Sequence, residues 1–197
     1  MNKHKHEHSG CTRKSFEDPR QILLSAGIAV GGVMIDIGTG TGYLAITSAE
    51  IMGSTSKVYA LDNHAASIEV LNKDVSAKGI KNVVGITADA VKEIPLPQSA
   101  VDVCLMSNVV HGFAANAEID ALMKNVNNVL KEDGEIVVID FQKAETEFGP
   151  PLSVRLSPED VENLIAPYGY KILRQFDAGL NHYGLVFQRV SLQNKYC

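Results

Sequence analysis

Cysteine is scarce in this chain of 197 residues: Cys11, Cys104 and Cys197 are three, an odd number, and lie far apart. Such spacing builds no disulfide framework, so a reducing compartment is expected and the cytoplasm is the natural assignment. A long hydrophobic run is missing as well. The uncharged stretch Ile22 to Ile35 falls short of the roughly 20 residues a membrane-spanning helix requires, and Gly27, Gly31 and Gly32 interrupt it. The first 20 residues hold no apolar segment of the kind that marks a secretory signal. Positive charge is in deficit, with 18 Lys and Arg against 23 Asp and Glu and a formal net charge of −5. That balance gives no general pull toward nucleic acid or an anionic membrane. Internal repeats, low-complexity tracts and interdomain linkers are also lacking. Residues 16–192 are expected to form one domain behind a flexible polar tail, 1–15.

What is present is concentrated in one run, Val33-Met34-Ile35-Asp36-Ile37-Gly38-Thr39-Gly40-Thr41-Gly42. A parallel strand buried on both faces reads as continuous apolar residues. A bend that lets a ligand approach the backbone needs residues without a Cβ. The following segment, Tyr43 to Met52, looks helical, so the loop would open a helix whose free N–H groups attract negative groups. The arrangement suits a nucleoside-containing cofactor. Dinucleotide sites use G-x-G-x-x-G with an acid about 20 residues onward. Here the spacing is G-x-G-x-G, and Asp36 stands just before it.

Strands and helices alternate along the rest. Asp18-Pro19 starts a short helix. Strands are expected at 32–37, 57–61, 83–87, 101–106 and 135–141, and helices at 43–52, 65–78 and 115–131. Ser157-Pro158-Glu159-Asp160 is a capping-box-like start for another helix. Two final strands, 170–177 and 183–190, flank a short turn with no room for a helix, so the last must run antiparallel to its neighbour. The pattern predicts a doubly wound three-layer α/β sandwich on a mostly parallel sheet.

Acids recur where strands end. Asp62 closes the second strand, 20 residues after Gly42, and Thr87-Ala88-Asp89-Ala90 follows the third. Val101-Asp102-Val103-Cys104-Leu105-Met106-Ser107-Asn108-Val109-Val110-His111 forms the fourth and its loop, and Leu130-Lys131-Glu132-Asp133-Gly134-Glu135 precedes the fifth. In this order the motifs resemble those of class I S-adenosylmethionine (SAM)-dependent methyltransferases, of the small type 11, ubiquinone/menaquinone-biosynthesis-like group. The last resembles that family's L-K-P-G-G turn, with Glu132 and Asp133 replacing proline and glycine. The resemblance implies a seven-stranded sheet ending in an antiparallel hairpin. It assigns Asp36, Gly38, Thr39, Gly40 and Gly42 to the methionine end of SAM, and Asp62 with Asn63 to the ribose. Asp89 and Ala90 would hold the adenine, and Asn108 would line the sulfonium. Asp102 is left out of the site as a structural or sheet-edge residue.

His111 is the histidine expected near the methyl group. An imidazole titrating near neutrality suits a general base for a hydroxyl or thiol; the competing reading is a cap on the next helix. Arg155 and Tyr183, from late segments, are candidates to touch the acceptor, and the connection 142–156 is long enough to be a flap. His4, His6, His8 and Cys11 alternate, so an extended tail would point all four one way toward a metal or metalloid; a solvated tail is the plain alternative. The expected function is in-line methyl transfer to a small-molecule acceptor, not to nucleic acid, with a homodimer partner left open as a contributor to the pocket. Two other readings stay open: an NAD-dependent oxidoreductase, disfavoured by the glycine spacing, and a non-catalytic SAM- or metal-binding protein.

Overall fold

The computed structural model describes residues 18–190. In chain order it contains α1 (Pro19–Ser25), β1 (Val33–Ile37), α2 (Tyr43–Met52), β2 (Lys57–Asp62), α3 (Ala65–Ala77), β3 (Val83–Thr87) and β4 (Val101–Ser107). There follow α4 (Val110–Ala115), α5 (Ile119–Val129), β5 (Leu130–Phe141), α6 (Pro158–Ile165), β6 (Tyr170–Asp177) and β7 (His182–Arg189). The seven strands form one sheet in the order β3-β2-β1-β4-β5-β7-β6. The first five are parallel; β7 runs antiparallel to both β5 and β6.

Two apolar layers flank the sheet. Ile136, Val138, Leu185 and Phe187 pack one face against α4, α5 and α6. Val137, Ile139 and Val186 pack the other, with Leu23 of α1 and Ala45 of α2 in the same cluster. Alternation along β5 and β7 thus feeds both cores, which is why Ile136 to Ile139 reads as unbroken hydrophobics.

Two local expectations are corrected. The helix anticipated over 115–131 is α5, which starts only at Ile119; α4, which was not anticipated, precedes it and ends at Asn116, before Ala117 turns into the left-handed region (φ 58°). No glycine marks this break, which hid it. The Lys131-Glu132-Asp133-Gly134 turn lies inside β5. Val101 pairs with Leu130 and Val103 with Glu135, so the extra residues form an irregularity within the ladder. A Cβ on Gly134 would press on the Leu130 side chain and the Asp102 carbonyl, so this crossing needs glycine.

Asp102 is structural, as expected, but not at an edge. It sits on the central strand β4, where its carboxylate accepts from the Val33 N–H (2.8 Å) and from Lys131 Nζ (2.6 Å).

Candidate active site

Strand order reverses direction between β1 and β4, and in open α/β sheets the crevice at the carboxyl ends beside such a point receives the ligand. The glycine loop leaves β1 there, and residues 108–111 leave β4 beside it. Gly38, Gly40 and Gly42 all have positive φ (73°, 55° and 83°). Added Cβ atoms at Gly38 and Gly42 would collide with Val109 Cγ1 and Leu71 Cδ1, so these glycines bring the loop against both neighbouring elements. Leu61 O accepts from the N–H groups of Gly38 (2.8 Å) and Thr39 (3.1 Å). The first intrahelical bond of α2 is Ile46 N–H to Gly42 O, so the Tyr43, Leu44 and Ala45 N–H groups precede the ladder at the loop.

Asp62 joins the loop from β2. One carboxylate oxygen accepts from the Gly40 N–H (2.8 Å), the other from the His64 N–H (2.9 Å). Each oxygen keeps a lone pair for a further donor, so the carboxylate is fixed in place without being saturated. Asn63, beside it, is exposed.

Asp36 is 2% exposed and accepts from Thr39 Oγ1 at 2.7 Å. Burial pushes its carboxyl up to about 7, the Thr39 bond pulling down and the charge of Asp62 pushing further up. A buried acid at this height is poised to lose its proton to a nearby cation. Burial likewise pushes the Cys104 thiol up, with a contribution from Asp36, and leaves it an inert core group.

Asp89 serves its own turn: Oδ1 accepts from the Val91 N–H (3.1 Å) and Oδ2 lies 3.4 Å from Lys92 Nζ. Its side chain remains about a third exposed (32%), so it still has an accessible oxygen face. Ala90 is buried, and its carbonyl accepts from Asn125 Nδ2 (2.9 Å).

After β4, Asn108 takes a left-handed conformation (φ 57°) and donates its N–H to Ile139 O (2.8 Å). Asn108 Oδ1 and Ser107 Oγ are buried without a hydrogen-bond partner among the described residues. Buried polar atoms are normally satisfied, so such a pair beside a glycine loop fits a polar ligand. His111 does not cap α4, whose cap is Val109 without a side-chain bond. Instead its Nδ1 meets Asp140 Oδ1 at 2.8 Å, and its N–H donates to Asp140 Oδ2 (3.2 Å). Asp140 is 1% exposed. Sequence reading missed it, although Glu135 to Phe141 repeats the apolar-strand-then-acid pattern of β1 and β2.

Arg155 has a different task from the one expected. All five of its N–H donors are used within its own loop. Nε donates to Pro150 O (2.8 Å), Nη1 to Gln142 O (3.3 Å) and Ala144 O (2.5 Å), and Nη2 to Thr146 Oγ1 (2.7 Å) and Phe148 O (3.2 Å). Its guanidinium also lies 5.2 Å over the Phe141 ring. It is a staple for the 142–156 connection and not a substrate hand. Tyr183 is buried, and its hydroxyl donates to Leu156 O (3.0 Å), tying the end of that connection to β7. Burial, with Asp140 and Asp160 nearby, holds that phenol far above its usual range. Behind it, burial lowers His182 to about 4, so this ring is neutral at physiological pH. His4, His6, His8 and Cys11 lie outside the described residues; among those described, no group of three or more His, Cys, Asp or Glu could hold a metal. No described helix is long and apolar enough to cross a membrane.

A family model described as "Methyltransferase domain" matches residues 28–174. The chain belongs to this methyltransferase family. Membership in a methyltransferase family sets the oxidoreductase reading aside. Among solved structures, a SAM-dependent methyltransferase from Aquifex aeolicus superposes with a TM-score of 0.80 at 26% identity, covering 88% of this chain and 90% of that one. Geranyl diphosphate C-methyltransferase from Streptomyces coelicolor A3(2) shares the fold at a TM-score of 0.71 and 14% identity, covering 87% of this chain and 78% of its own. Among curated relatives, the ubiquinone/menaquinone biosynthesis C-methyltransferase UbiE of Cellvibrio japonicus is 26% identical over 128 residues, 65% of this chain. The chain spans about half the length of that relative (50%).

Proposed function

We propose that this methyltransferase transfers the methyl group of SAM to a small-molecule nucleophile, with His111 as the base when the acceptor arrives protonated. The observation that carries the cofactor half is the placement of Asp62, whose carboxylate is anchored to the Gly40 N–H at 2.8 Å and keeps acceptor capacity on both oxygens. A carboxylate with open lone pairs is suited to a vicinal diol, since it accepts from both hydroxyls and donates to neither. Asp36 and the glycine loop would receive the methionine end, Asn108 the region of the sulfonium, and Asp89 with Ala90 the base. Bound there, the sulfonium supplies a methyl group already activated for displacement. The chain's own task is then mostly to orient the acceptor, where alignment contributes about 7–11 kcal/mol. The acidic balance favours a metabolite over a nucleic-acid acceptor.

Two measurements test the reading. Calorimetry with SAM should show binding to the wild type and a loss of tenfold to a hundredfold or more in Asp62→Ala, from removal of charge-assisted bonds of about 1.5–3 kcal/mol each; equal affinities would remove Asp62 from the site. A screen with methyl-labelled SAM against phenols, thiols, quinones and metalloids should label at least one small acceptor.

A further inference from the structure

We propose that Asp140 is the positioning residue of the transfer step: it takes the Nδ1 proton of His111 as a hydrogen bond, makes Nε2 the basic nitrogen, and equips the site for acceptors that arrive as phenolic hydroxyls. This deepens the proposed function and rests on it.

The geometry is a buried pair brought together across two strands. His111 stands in the first turn of α4, beyond Asn108 and Val109, and Val109 packs on Gly38 of the glycine loop. Asp140 is the penultimate residue of β5, at the same carboxyl edge of the sheet. Its carboxylate accepts three bonds, from the Phe141 N–H (2.8 Å), the His111 N–H (3.2 Å) and His111 Nδ1 (2.8 Å). The two backbone bonds fall on different oxygens, Oδ1 for the Phe141 N–H and Oδ2 for the His111 N–H, so both oxygens must accept, which a carboxylate does and a neutral amide does not. Keeping a carboxylate in the interior is costly unless a charge or a strong donor answers it, and an imidazole N–H is that donor. Once Nδ1 carries the proton, the lone pair belongs to Nε2, and the carboxylate steadies the imidazolium that forms when Nε2 takes a proton.

The other charged and titratable groups near Asp140 do not compete for this role. Tyr183, its register partner on β7, already donates to Leu156 O. His182 on β7 is pushed down by burial and Arg155 although Asp140 pulls it up, so it stays neutral. Arg155 points its fork at carbonyls of the 142–156 connection, and Asp160 is engaged with Lys143 and the Ser157 N–H.

A base of this kind matters for acceptors that must shed an unionised proton as they react, and among these phenolic hydroxyls are the ones acidic enough for an imidazole to serve. A thiol is partly ionised near neutrality and attacks unaided. A neutral amine attacks with its own lone pair and sheds a proton afterwards. A phenol, ionising near pH 10, needs its proton drawn off as it reacts. In that step Nε2 takes the hydroxyl proton while the acceptor oxygen bonds to the methyl carbon. The electron pair of the broken carbon–sulfur bond stays on sulfur, and the imidazolium returns the proton to solvent.

The test uses the full chain, methyl-labelled SAM, and two probe sets, phenol, catechol and hydroquinone against thiophenol, across pH 6–10. Asp140→Asn should lower kcat on the phenols by about 10²-fold with little change in KM. Thiophenol rates above its own ionisation should stay within a few-fold of wild type. Asp140→Glu should restore part of the phenol rate. His111→Gln should reproduce the phenol-selective loss, a second route should Asp140→Asn fold poorly. Nitrogen-15 histidine spectra of the wild type should show the Nδ1–H tautomer at His111. Equal phenol rates in wild type and both variants, the Nε2–H tautomer, or a wild type that binds SAM but methylates none of the phenols would overturn the proposal. The last outcome, with thiophenol methylated, would leave methyl transfer standing; absence of SAM binding would instead overturn the proposed function beneath it.

Discussion

The two halves of the carboxyl edge are built by different means. On the β1–β3 side the site is made of short-range geometry: glycines at positive φ, strand-end acids and backbone N–H groups, all within a few residues of a strand terminus. On the β4–β7 side it is made of partners far apart in the chain, His111 of α4 with Asp140 of β5 and Tyr183 of β7 with Leu156 of the connection, joined because the sheet order sets β5 between β4 and β7. The first half presents backbone and carboxylates, which suit the invariant parts of a cofactor. The second presents side chains held by other side chains, a construction that can vary with the acceptor. Four substitutions probe that difference.

The largest effect is expected on the cofactor side, at Asp36. Burial lifts its carboxyl from the ordinary 3.8 to about 7, so the folded protein holds a proton that the unfolded chain has already lost between those limits. Stability contributed at this site is therefore full below about pH 4, falls as pH rises toward 7, and is flat beyond. The total is about 4 kcal/mol at most, from three units at about 1.4 kcal/mol each. Asp36→Asn should raise the denaturation midpoint at pH 8 and remove that slope, as urea titrations at pH 4, 6 and 8 would show. An unchanged slope would mean that Asp36 is ionised throughout.

Next comes Arg155→Met, on the other side. Five acceptors of the 142–156 connection, on exposed or half-buried residues, would lose their donor together; water replaces part of each bond, leaving a net loss of about 0.5–1.5 kcal/mol apiece. A net loss of about 2–4 kcal/mol is expected. Fast hydrogen exchange should be confined to 142–156, while SAM affinity stays within twofold of wild type. Loss of cofactor affinity in this variant would break the division between the two halves.

Asp62→Ala is the counterpart, expected to cost tenfold to a hundredfold in SAM affinity, about 1.4–2.8 kcal/mol, with exchange in 142–156 unaltered. The same contrast explains what the sequence made legible. The run Val33 to Gly42, the acid at Asp62 and the helix Tyr43–Met52 are encoded by contiguous residues, and each lies where it was anticipated. Asp140 was missed because nothing within its own neighbourhood announces a histidine 29 positions earlier. Arg155 was misassigned because a lone arginine in a long connection gives no sign that Pro150, Ala144 and Phe148 will turn their carbonyls toward it. The break at Ala117 went unseen because alanine rarely adopts positive φ.

The smallest effect separates locality from location. Ser157, on the acceptor side, accepts from the Asp160 N–H (3.1 Å), and Asp160 returns a bond to the Ser157 N–H (2.8 Å), closing a capping box at the start of α6. This feature was readable from four consecutive residues although it belongs to the half that was otherwise opaque. Lys143 and the two Ser157 bonds hold the Asp160 carboxyl down at about 2, so the box stays intact through the physiological range and opens only in strong acid. Ser157→Ala should cost about 1 kcal/mol, seen as a small fall in the denaturation midpoint with phenol and thiol rates unchanged. A much larger loss, or one that reached the His111–Asp140 pair in nitrogen-15 spectra, would mean that α6 is coupled to the transfer chemistry through Lys143 and the connection it anchors. A loss of the expected size would instead confirm that what can be read from a chain is set by how far apart the partners lie, not by which part of the site they serve.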